Sequence, residues 1–141
     1  MQSRKRQFGD HFMSDRREQL ETVAAKLGIG SYKRHVLLCT GPNCCTPDEG
    51  MQAWDVLKAQ IKEHSVSTGE HACYRSKVGC LRICVHGPTM VVYPEGTWYH
   101  GMTADKIPPF VRQHLVEGKP VSEWVFAQNQ LPPAAEEMSD E

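Results

Sequence analysis

Four of the six cysteines fall into two close pairs, Cys39-x4-Cys44 and Cys80-x3-Cys84. Four soft thiolates on one small patch are what an iron–sulfur cluster or a zinc ion requires. Zinc ribbons favour Cys-x2-Cys pairs, where one tight knuckle turns both sulfurs onto a single ion. Spacings of four and three suit a larger, two-metal object better. The tight Cys-x-x-Cys of thioredoxin-type dithiol chemistry is absent. Spacing alone leaves a cluster, structural zinc, thiol redox chemistry and inert cysteines all open. Gly41, Gly79 and Gly87 lie in the same segments. Lacking side chains, they let backbone pass close to sulfur and aim N–H groups at it, which stabilises a negatively charged metal–sulfur core.

The remaining candidates are weaker. Cys45 adjoins Cys44 and competes with it for one ligand position, whereas Cys73 lies outside both pairs and reads as an ordinary strand cysteine. Lys77, Arg82 and His86 flank the second pair, where they would draw an acidic partner or simply be solvated. No Ser/His/Asp order, Gly-rich phosphate loop or His-Glu-x-x-His run is present, and Glu95 and Asp105 form no evident carboxylate pair. No catalytic residue is expected. The chain does not read as an enzyme.

The elements that must position these thiols follow from periodicity. His35–Cys39 is a short apolar run of strand length, and Thr40–Gly50 is rich in turn formers. Met51, Trp54, Leu57 and Ile61 recur at helical spacing, predicting a helix that buries one stripe. A weaker strand from His71 to Lys77 leads into the second pair. Thr89–Tyr93 and Thr97–His100 flank Pro94-Glu95-Gly96 and predict a β-hairpin, in which Trp98 and Tyr99 are core or dimer-interface residues. Ile107, Phe110, Val111 and Leu115 predict a last helix closed by Gly118, beginning near Pro108 and Pro109 because neither can donate a backbone hydrogen bond. The resulting order of strand, helix, three strands and helix is a small α/β layer architecture.

Length and charge bound the rest. The 141 residues suit one domain with a real core, and 40% hydrophobic with 23% charged residues is ordinary for a globular protein. The formal net charge of −1 argues against nucleic acid as a partner, and no apolar run is long enough for a membrane span. The N-terminal run Met1–Gln7 does not read as a secretory signal, so a cytoplasmic location is expected. Residues 1–34 form an N-terminal helical extension, with Leu20, Val23, Ala24 and Leu27 on one face after a Ser14 cap and Gly28 and Gly30 as its end. Residues 35–127 form the body. Residues 128–141 form an acidic, Pro-rich tail expected to be disordered.

Three segments together carry a family resemblance: His35–Cys44, Val78–Pro88 and Val91–Tyr99, the last with its Tyr-Pro-x-Gly-x-Trp-Tyr hairpin. They resemble the thioredoxin-like 2Fe-2S ferredoxin family, and are similar to the 24-kDa subunit domain of respiratory complex I and of related hydrogenases. The resemblance covers about residues 35–127. It implies a thioredoxin-like domain, with a central mixed sheet and two main helices, and one 2Fe-2S cluster near one surface on Cys39, Cys44, Cys80 and Cys84. It further implies a one-electron carrier that serves a redox partner protein, often as a homodimer. Free-standing members often have a longer insertion between the first two ligands. The short loop here keeps the spacing of the respiratory subunit, which favours Cys44, while counting back from the helix allows Cys45 instead. The Gly87–Pro88 junction resembles the cis-proline position of thioredoxin folds. A subunit or accessory protein of a larger oxidoreductase, docked through residues 1–34, is the second reading. A structural zinc or thiol-redox domain is the third.

Overall fold

A computed structural model of the protein describes residues 15–66 and 72–132. The chain divides into two compact units, Met1–Ser31 and Tyr32–Glu141. In the first unit residues 15–26 are helical (α1). The helix ends where Gly28 takes φ +79°, a left-handed conformation that costs glycine little. The Gly28 N–H then bonds the Ala25 carbonyl and the Ile29 N–H the Ala24 carbonyl, the paired closure of a Schellman motif. Of the expected apolar positions, Leu20, Val23 and Leu27 are exposed and Ala24 is half-buried. The expected Ser14 cap lies outside the described residues.

The second unit is built on one mixed sheet. β1 (Arg34–Cys39) runs parallel to β2 (Cys73–Val78), and α2 (Pro47–Glu63) connects them. β3 (Met90–Tyr93) and β4 (Thr97–Tyr99) form the expected hairpin, and β3 pairs antiparallel with β1. A fifth strand, β5 (Val125–Gln128), completes the spatial order β2-β1-β3-β4-β5. This strand had no sequence expectation, and it runs one residue past the body boundary drawn at 127.

α2 begins at Pro47, four residues before the helical period read from Met51 and inside the segment read as turn, because a capping box starts it there. The Thr46 hydroxyl accepts the Glu49 N–H at 3.1 Å while the Glu49 carboxylate accepts the Thr46 N–H, and Pro47 follows as the first helical residue. Trp54, Leu57 and Ile61 are buried as expected, but Met51 is 39% exposed and Gly50 is buried instead. The reason is steric: a Cβ on Gly50 would collide with the backbone of Thr40. Only glycine lets the helix lie this close to the segment that follows β1.

The last helical segment is composite. A 3₁₀ turn, Ala104–Lys106, leads into α3 (Ile107–Phe110), which widens into a π-helical stretch at Val111–Val116. Pro108 and Pro109 sit in the first turn of α3, where N–H groups have no intrahelical acceptor and their absence costs nothing. Val36, Leu38, Met90, Val92 and Tyr99 pack from one sheet face against Leu57, Ile61, Ile107, Phe110 and Leu115 of the helices. His35, Leu37, Val91, Tyr93 and Trp98 alternate onto the opposite face, outside that core. Among the described residues no helix is long and apolar enough to cross a membrane.

Candidate metal centre

β1 ends at Cys39, and its register sets Leu38 opposite Met90 and Cys39 opposite Val78. The ends of β1 and β2 and the start of β3 therefore lie side by side, so the segments that follow β1 and β2 leave from the same end of the sheet. Main-chain bonds fasten them there. Cys39 N–H donates to the Thr89 carbonyl at 2.8 Å, Thr40 N–H to Val78 at 3.0 Å, and Gly87 N–H to Cys44 at 2.9 Å. The last bond joins the two cysteine loops directly. A Cβ on Gly87 would lie 2.5 Å from the Cys44 carbonyl oxygen, and one on Gly41 would lie 2.5 Å from that of Cys45, so these two glycines are required by packing. The Gly41–Pro42 and Gly87–Pro88 peptides are both cis.

The thiols group unevenly. Cys39 and Cys44 are buried with their Sγ atoms 2.7 Å apart, beyond the roughly 2.05 Å of a disulfide, and both thiols are free. Cys45 Sγ is 3.8 Å from Cys44 Sγ, so the first loop holds three thiols together. Cys80 and Cys84 stand on the second loop, exposed to solvent. Cys39 faces that loop, 3.9 Å from the Gly79 carbonyl oxygen. Among the described residues no three His, Cys, Asp or Glu side chains already form a closed metal-binding group. The fold thus brings both loops together, closes the first pair inward and leaves the second facing outward. Cys73, in β2, is buried apart from this site, and burial raises its thiol pKa to about 12.

Burial, followed by the neighbouring Cys44, raises the Cys39 thiol above its ordinary value, against a pull from the Gly41 and Leu81 backbone amides. Burial also raises Cys45. Partial desolvation raises Cys84, with nearby Cys80 and Cys39 adding to it. Crowded thiols hold their protons because neighbouring thiolates repel and the site is poorly solvated. A soft cation reverses that balance, since only thiolates ligate it. Backbone donors are already aimed at sulfur: the Arg82 N–H reaches Cys80 Sγ at 3.2 Å, with Arg82 at φ +71°.

No family model matches the chain. It is 29% identical over 93 residues to a 2Fe-2S ferredoxin of Clostridium pasteurianum, covering 63% of this chain and 91% of that one. A 2Fe-2S ferredoxin of Aquifex aeolicus is 37% identical over 54 residues, which span 38% of this chain and 49% of that relative. The structure superposes on a thioredoxin-like [2Fe-2S] ferredoxin from Aquifex aeolicus with a TM-score of 0.60 at 24% identity, over 74% of this chain and 98% of the other. The chain is similar in sequence to these 2Fe-2S ferredoxins. Its fold is the thioredoxin-like ferredoxin fold, as the resemblance implied.

The donors of this chain suit a metal–sulfur group. They are thiols, they sit on loops whose glycines carry backbone close to sulfur, and amide hydrogens at Arg82, Gly41 and Leu81 point towards them. A hard cation would want oxygen donors instead.

Sequence reading missed a second constellation. His114 is fully buried, and its Nδ1 lies 2.7 Å from the Tyr99 hydroxyl, which in turn accepts the Val121 N–H at 3.0 Å. His114 Nε2 lies 3.4 Å from Glu95 Oε2, and the same oxygen accepts the Arg34 Nε–H at 2.7 Å. With Val121 donating to the phenol, the phenol proton goes to Nδ1 and the histidine proton to Glu95, which selects the neutral Nε2–H tautomer. The available signal was position: His114 falls on the stripe of Ile107, Phe110, Val111 and Leu115.

Proposed function

We propose that this protein holds one 2Fe-2S cluster on the thiolates of Cys39, Cys44, Cys80 and Cys84 and carries one electron at a time. The observation that carries the reading is the fastening of two cysteine loops at one end of one sheet, by the Gly87-to-Cys44 bond and the approach of Cys39 to Gly79. When bound, the cluster supplies a site whose charge changes by one with little rearrangement, and the protein tunes its potential through N–H bonds to sulfur and through exposure. The relatives named 2Fe-2S ferredoxin support the same reading. The exposed second loop suits transfer to a redox partner protein. A cytoplasmic location fits the reading, since thiolate ligands persist where reducing conditions keep cysteines from pairing. An isologous homodimer is consistent with the half-buried Leu37, Tyr93 and Trp98 on the sheet face outside the core.

Cys45 in place of Cys44 is the second reading, favoured by the 3.8 Å between their sulfurs. Cys45→Ser should keep full iron content and Cys44→Ser should lose it; the reverse pattern assigns the ligand to Cys45. The primary experiment is an ultraviolet–visible spectrum of anaerobically purified protein before and after dithionite, with iron, sulfide and zinc assayed on the same sample. Visible bands that bleach, with about two irons and two sulfides per chain, are expected. A colourless protein with stoichiometric zinc would overturn the reading.

A further inference from the structure

Beside the second cysteine pair lies a groove of about 510 Å³ lined by Ile83, Val85, His86, His100 and Phe126. It is unusually apolar for a surface flanking exposed thiols: Val85 is 61% exposed and Phe126 44%. One wall is the cysteine loop itself and the other is β4 and the added strand β5. Phe126 is fixed there by edge contacts with Trp98 and His100, at ring separations of 6.3 and 6.2 Å. Gly101 joins the walls by donating its N–H to the His86 carbonyl at 2.7 Å.

The rim is cationic. Arg82 lies on the cysteine loop next to Ile83, and from residue 71 to residue 94 the chain has no Asp or Glu, within a protein of formal net charge −1. Arg82 is exposed. Lys106 stands over the Trp124 ring at 5.6 Å and within 3.4 Å of the position a Cβ on Gly101 would occupy, which places its ammonium at the groove margin. The carboxylates nearby in sequence are Asp105, engaged by the Thr103 hydroxyl, and the exposed Glu123.

We propose that this groove is the docking site for an acidic electron-transfer protein that seats an apolar side chain against Val85 and Phe126. The proposal rests on the cluster reading for its purpose and on the groove's own chemistry for its specificity. Charge supplies steering, since a positive rim raises encounter rates with an anionic partner and salt screens the effect. The apolar floor supplies the contact that outlasts encounter, and exposed apolar surface of this kind marks interaction sites. Electron transfer needs no covalent step: a reduced donor loses one electron and the cluster gains it.

An acidic flavodoxin, fully reduced, is the probe. In stopped flow, cluster reduction should slow at least tenfold between low and high ionic strength, and severalfold in Lys106→Glu and in Val85→Ser at low salt. Visible absorbance and dithionite-reducible iron should be unchanged in both variants. Salt-independent rates, or unchanged rates in both variants, would overturn the proposal. A nuclear magnetic resonance titration with the same flavodoxin supplies a readout free of electron transfer. Shifts should concentrate at Val85, His100 and Phe126; shifts confined to α2, or none, count against docking here. Because the titration works with any metal or none at the cysteines, loss of the cluster reading and loss of the docking site give different results.

Discussion

Around Arg34 of β1 and Glu95, polar groups meet one another, with Tyr99 reaching in from the rung it shares with Met90 and Leu38. Tyr99 takes the Val121 N–H, His114 bridges Tyr99 and Glu95, and Arg34 closes the set on the Glu95 carboxylate. At the Cys39 end of the same strand, thiols crowd without finding strong partners. Cys39, Cys45 and Cys84 all keep their protons more tightly than free thiols, and Cys80 and Cys84 face solvent. The first set is largely satisfied internally, with Glu95 Oε1 the one carboxylate oxygen left without a hydrogen bond. Its paired groups contribute to stability, because buried polar groups left unpaired cost the fold dearly. The second is incomplete as protein alone, which is how a site for a soft metal group differs from a structural network. One strand touches both because the β3–β4 turn brings Glu95 to Arg34 while the first cysteine loop leaves from Cys39.

The largest expected effect tests the thiol set. Cys84→Ser exchanges a soft thiolate for a hard oxygen and should abolish or severely reduce iron and sulfide content while leaving the polar network intact. Normal cluster content in that variant would remove Cys84 from the ligand set. Gly87→Ala comes next, since its new Cβ would lie 2.5 Å from the Cys44 carbonyl oxygen and 2.8 Å from the Cys44 Cβ. We expect about 3 kcal/mol of destabilisation in urea unfolding, in line with overpacked sites, together with weakened cluster retention. A variant as stable as the parent would mean the loops are not fastened as described.

Tyr99→Phe tests the polar network. It strips the Val121 N–H and His114 Nδ1 of their partner and should cost about 2 kcal/mol, with the visible spectrum of the cluster unchanged. A spectrum altered as strongly as stability would mean the two sets are coupled and would break the contrast. The smallest effect is on pH. Burial lowers the His114 pKa from its ordinary 6.5, partly opposed by Glu95. Burial would raise Glu95, but the Arg34 hydrogen bond and charge outweigh it and hold that carboxyl low. Both groups bind protons more readily unfolded than folded, so each contributes stability above its unfolded pKa that is lost on acidification. The urea midpoint should fall as pH drops below about 6.5, first through His114 and then, in the carboxylate range, through Glu95. A midpoint that rose on acidification would contradict the assignment of a neutral His114.

Much of the positioning framework was legible in the residues themselves. Trp54, Leu57 and Ile61 announced α2, and Pro94 and Gly96 marked the hairpin, because these signals act within a few residues. The Thr46–Glu49 capping box that starts α2 lay inside a stretch read as turn. β5 was not legible. Phe126, Ala127 and Gln128 are exposed, so neither alternation nor a buried run distinguishes the segment, and only its pairing with Thr97–Tyr99 makes it a strand. Gly50 read as part of a turn, and the close approach of Thr40 that requires it is a fact of packing.

The sequence by itself determined the chemical inventory: which thiols are available, how they pair along the chain, which glycines accompany them, and that no acid lies between residues 71 and 94. Residue type and short spacing are enough for that. Tertiary structure alone decided that Cys39 and Cys44 turn inward while Cys80 and Cys84 face out, that Tyr99 finds His114 fifteen residues away, and that Phe126 forms a wall beside the cysteine loop. Those outcomes depend on strand order and on which backbone can approach which. Such long-range geometry comes from burying one shared core, and no local pattern encodes it.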